Sequence, residues 1–142
     1  MSSPAGTKGK FWLRITGLIL GIGVLVWLPV EERSELGVLV ISGVICTWSA
    51  IWLLIKPIPD DKQLILRHVL VGAGAGLILA PLVILLMAFK SGIHGHGTPD
   101  FTVNQIQDVL SRIPYFVLSG FLVGVGIGLW RLAKRELPQT GG

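Results

Sequence analysis

The chain has 142 residues, of which 51% are apolar and only 14% charged, with a formal net charge of +4. Soluble domains carry about 25% charged residues, so this composition, with a mean hydropathy of +0.73, excludes a water-soluble globule. The length suits one compact bundle without a second domain.

In chain order, a polar tail over 1–10 precedes the first apolar run, 11–30. Its basic start (Lys8, Lys10, Arg14) resembles a secretory signal, but Trp27-Leu28-Pro29-Val30-Glu31 offers no small-residue cleavage site. An uncleaved anchor is expected. An acidic turn, Glu31-Glu32-Arg33-Ser34-Glu35, leads to a second run over 36–55, which holds no charge and contains the lone cysteine, Cys46. A single cysteine forms no internal disulfide, and Cys46 reads as a small packing residue. Pro57 and Pro59 break the chain before the third run, 69–89, which is uncharged and carries Pro81 at its centre. Proline removes one backbone hydrogen bond, so a kink is expected there. His68, next to Arg67 and near Asp60, Asp61 and Lys62, is expected in a polar cluster at the membrane interface.

An outer loop follows over 90–113. Within it, Val103, Ile106, Leu110 and Ile113 recur at helical spacing and predict a short amphipathic helix over 102–113. Thr102 and Gln105 predict a capping box at its start. This helix would lie on the membrane surface or fold over the mouth of the bundle. The fourth run spans 114–132, and a second tail covers 135–142.

Each run approaches the roughly 20 residues that cross a 30 Å hydrocarbon core as a helix. Within lipid, only a helix satisfies every backbone group inside one segment. The expected fold is all-α, with four transmembrane helices in an up-down bundle plus the amphipathic interfacial helix before the fourth. With the N-terminus in the cytoplasm, nine of the twelve Lys and Arg fall inside and three (Arg33, Lys90, Arg112) outside. The positive-inside rule then places both termini in the cytoplasm. The charge sits at the ends of apolar runs, so headgroups account for it, and no nucleic-acid partner is expected.

Small residues fall four apart in every run: Gly17 and Gly21; Ser42, Cys46 and Ala50; Gly72 and Gly76; Gly120, Gly124 and Gly128. Such rows share one helix face and let backbones approach closely in lipid. They predict helix packing, either within the chain or against another copy or subunit.

The only metal-like pattern is His94-Gly95-His96. Two imidazoles suit zinc or copper, but two ligands do not complete a site. An acid-sensing role and simple turn hydrogen bonding are the alternatives. The sequence holds no nucleophile elbow, zincin motif, P-loop or paired carboxylates, so no enzyme and no cofactor is expected. The run Lys90 to Thr102, with Gly92-Ile93-His94-Gly95-His96-Gly97-Thr98-Pro99-Asp100-Phe101-Thr102 in it, and the hydropathy layout resemble those of small uncharacterised four-span bacterial inner-membrane proteins. That resemblance implies a layout and an inner-membrane location, and no activity.

The expected function is that of a structural or accessory membrane protein, acting through helix–helix contacts with itself or a larger membrane complex in the lipid bilayer, with the glycine faces of the third and fourth runs as the contact surfaces. The alternative is a small binding or transport module whose outer loop, with His94 and His96, receives a metal or another solute.

Overall fold

The structure is a computed structural model that describes residues 4–30, 34–55, 60–94 and 101–136. Among these the chain is all-helical, with no strand. The order is α1 (Pro4–Trp27), α2 (Glu35–Leu54), α3 (Asp61–His94), α4 (Val103–Ser111) and α5 (Ile113–Glu136). Three stretches are long and apolar enough to cross a membrane: Glu35–Leu54, Gln63–Ile93 and Val103–Arg135. A shorter apolar stretch, Phe11–Trp27, lies in α1.

Local chemistry sets several helix ends. Ser34 caps α2, its Oγ accepting from the Gly37 N–H at 3.3 Å. Asp61 in the first turn of α3 and Lys134 and Arg135 in the last turn of α5 oppose the helix dipoles. Thr102 and Gln105 form the capping box of α4 in both directions. Only Arg112 separates α4 from α5, and Pro114 stands in the first turn of α5, where its missing N–H leaves no bond unmade.

α3 is longer than its apolar run. Its 34 residues span about 51 Å, against about 30 Å of hydrocarbon. It continues without a break through Pro81, which faces outward. Lys90, expected in the outer loop, instead belongs to α3 and is fully buried.

The contacts run antiparallel. Leu13 of α1 meets Trp48 of α2. Arg67 of α3 reaches the Leu53 carbonyl of α2. α3 and α5 form the most extensive interface. Along it Gly76 faces Phe116 and Val117, Gly72 faces Gly120 and Gly124, and Gly128 faces Ile65. A methyl on Gly76 would sit 2.9 Å from the Val117 Cα. The two backbones touch, and nothing larger than glycine fits between them.

A compact core closes one end of the bundle. Val38, Val83, Leu86 and Met87 pack with Phe101 and Val109, which come from the α4 region. α4 therefore folds onto the helix ends, turned differently from the sequence expectation. Val109 and Phe101 are buried and Ile106 is partly so, whereas Val103 and Leu110 are exposed. The face is tilted because Phe101, ahead of the helix, is the larger apolar anchor and turns Val109 inward with it. Arg112 pairs with Glu35 at 3.0 Å and ties this end to the start of α2.

Candidate functional site

The row Gly43, Cys46, Thr47, Ala50, Ile51 on α2 faces the glycine seam of α3 and α5 across a gap. Residues three and four apart on one helix share a face, so this side of α2 is almost uniformly small. Small side chains on the wall and bare backbone on the floor leave a groove of about 310 Å³. α5 supplies the far wall with Ser119, Val123 and Ile127. Thr47, Ile51, Ser119, Val123 and Ile127 are exposed, so the groove opens sideways, toward lipid if the helices span a bilayer.

His68 lines this groove and is 1% exposed. Its Nδ1 lies 2.7 Å from the Leu64 carbonyl, one turn back on α3. A carbonyl only accepts, so this contact places the proton on Nδ1 of the neutral ring. The other nitrogen, Nε2, is buried and has no hydrogen-bond partner among the described residues. A buried acceptor left unmet costs about 1–3 kcal/mol. Among the described residues no charged side chain meets the His68 ring, so the expected interfacial polar cluster is not seen around it. The charged groups near it engage elsewhere: Arg67 on the Leu53 carbonyl, Asp61 on Arg135 at 2.8 Å. His68 instead stands one turn before Gly72 and two before Gly76, on the glycine face. That spacing was visible in the sequence and was the signal for its burial.

At the opposite end, the Lys90 ammonium sits 3.9 Å from the centre of the Trp27 ring. A desolvated cation over an indole face gains up to about 2 kcal/mol. This contact joins the end of α1 to the end of α3. Trp48 makes the second link to α1, its Nε1 donating to the Leu13 carbonyl at 3.3 Å while its ring fills the space beside Gly17.

The other residues singled out by sequence fall as follows. Gly72, Gly76, Gly120, Gly124 and Gly128 lie along the α3–α5 seam, and Gly17 lies under Trp48. A methyl on Gly21 would meet nothing within 4 Å, so it packs against no described helix of this chain. His94 closes α3, and His96 lies outside the described residues, so the pair has no described geometry. Among the described residues no three His, Cys, Asp or Glu side chains come together.

No protein-family model, curated protein or solved structure matches the chain.

Proposed function

We propose that the chain is a four-span protein of the plasma (inner) membrane, with both termini cytoplasmic, that acts as an accessory or structural subunit through helix–helix contacts. The contacting helix is α1. One observation carries this reading: none of the described α1 side chains is buried, although the helix is apolar from Phe11 to Trp27. α3 and α5 turn their glycine rows toward each other, so those rows are not left for a partner. α1 keeps Gly21 and Gly23 open beside Leu18, Ile22 and Leu25. In lipid, open small residues flanked by bulky ones favour close helix pairing. The 17-residue apolar stretch of α1 meets the lower limit of about 17 for a span, and Arg14 near its start can reach the headgroups.

The test is a pull-down of the tagged protein at native level in mild detergent, with mass spectrometry of what accompanies it. A stoichiometric membrane partner, or a second copy, is expected with the wild-type chain and lost with Gly21→Leu. That substitution meets open space inside the molecule, so the fold should survive it. Recovery of the wild-type chain alone, as a monomer, would sink the reading.

A further inference from the structure

The groove between α2, α3 and α5 has a chemical asymmetry that lipid alone does not satisfy. Its walls are apolar or small along their length, yet His68 is buried on it with an unmet ring nitrogen. An acyl chain lying there would cover Gly72, Ala75 and Leu79 and leave Nε2 unsatisfied. We propose that this groove binds an apolar molecule carrying one hydroxyl, whose O–H donates to Nε2 of His68.

Three features select that chemistry. The Leu64 carbonyl holds the proton of the neutral ring on Nδ1, so Nε2 offers a lone pair and calls for a donor. A carboxylate or phosphate dianion has no proton to give and is refused. The volume, about 310 Å³, lies at the small end of the roughly 300–1,000 Å³ typical of ligand sites. It suits a single chain or a small ring system rather than a two-chain lipid. The position of His68 also fixes the orientation. Arg67 and Arg131 reach the Leu53 and Leu54 carbonyls at the adjacent end of α2, so the hydroxyl end lies toward this charged rim. The apolar tail then runs past Ala50 and Cys46 toward the middle of the helices. Entry is lateral, between the exposed side chains of Thr47 and Val123. The site is on a different face from the free side of α1, and it stands or falls independently of the accessory reading.

The test uses the full-length protein in detergent micelles with two photoactivatable probes: a diazirine analogue of 1-dodecanol and its methyl ether. Labelled peptides are mapped by mass spectrometry. The alcohol is expected to label the segments holding Cys46, Ala50 and Ser119. The ether, which keeps the tail and loses the donor, should label them about fivefold less, the size of one net hydrogen bond. His68→Phe should bring the alcohol down to the ether's level. Ala50→Phe, which fills the groove and leaves His68 in the sequence, should exclude both probes. Equal labelling by alcohol and ether in the wild-type protein would overturn the proposal. So would label spread evenly over the exposed faces of α1 and α5. The wild-type comparison decides the matter even if His68→Phe fails to fold.

Discussion

Gly124 and Gly126 stand two residues apart on α5 and have opposite surroundings. A methyl on Gly124 would lie 2.9 Å from the His68 carbonyl carbon and 3.0 Å from the Val69 Cα. Both are backbone atoms of a packed helix and have no rotamer by which to move aside. A methyl on Gly126 would meet nothing within 4 Å. Gly124→Ala should therefore lower stability by about 2 kcal/mol through overpacking. Gly126→Ala should be neutral or stabilising by up to about 1 kcal/mol, because alanine is the better helix former. Unfolding by SDS titration in mixed micelles measures both, and equal effects would contradict the seam. The row of four-residue spacings tells these glycines apart in the sequence, since Gly124 belongs to it and Gly126 does not. What spacing leaves open is the identity of the helix across from the row, because close approach has the same signature whether the neighbour is internal or foreign.

At the scale of the elements, α4 offers the cleanest local test. Its capping box closes two backbone donors, Thr102 N–H on Gln105 Oε1 at 2.7 Å and Gln105 N–H on Thr102 Oγ1 at 3.3 Å. Thr102→Ala should cost about 1 kcal/mol. Hydrogen exchange should quicken about fivefold in α4 and stay unchanged in the middle of α3 and α5, since the helix touches the bundle only at one end. If the α3 seam quickened equally, α4 would be part of the main cooperative unit. The cap was legible because its two side chains lie three residues apart, within reach of local chemistry alone. The helical class was legible for an equally strong reason, since lipid leaves long apolar segments no other way to satisfy their backbone. The orientation of α4 was not. Its spacing counts Val103 and Leu110 with Ile106 and Ile113 and passes over Val109, and the choice depends on Phe101, which lies before the helix and gains its anchor role only from the tertiary core. Lys90 escaped for the same reason: a lysine after an apolar run reads as a boundary until an indole from a distant helix arrives to cover it.

For the whole molecule, the decisive issue is whether α1 crosses the membrane. The contacts put the start of α1 and the end of α5 at one end of the bundle. Arg67, Arg131, Lys134 and Arg135 all gather there. At the other end, Lys90 is buried over Trp27 and Arg112 is paired with Glu35. Among the described residues, little uncompensated positive charge would then need to pass to the outside, in keeping with the positive-inside rule. In a Cys46→Ala background, Gly9→Cys and Thr140→Cys should both react with a membrane-impermeant maleimide only from the cytoplasmic side. Ser111→Cys should react only from the opposite side. Labelling of Gly9→Cys and Thr140→Cys from opposite sides would reduce the spans to three.

The α3–α5 seam also sets an order of events during synthesis. If the helices span a bilayer, they insert one by one and pair afterwards, and α3 then enters it with its bare glycine face before α5 exists. Between those moments the widest interface of the bundle has only half its surface, and α3 leans on α2 and on the Lys90–Trp27 contact. The molecule therefore acquires its shape late, in a single closing step when α5 arrives. Until then the glycine face of α3 presents bare backbone to whatever lies beside it.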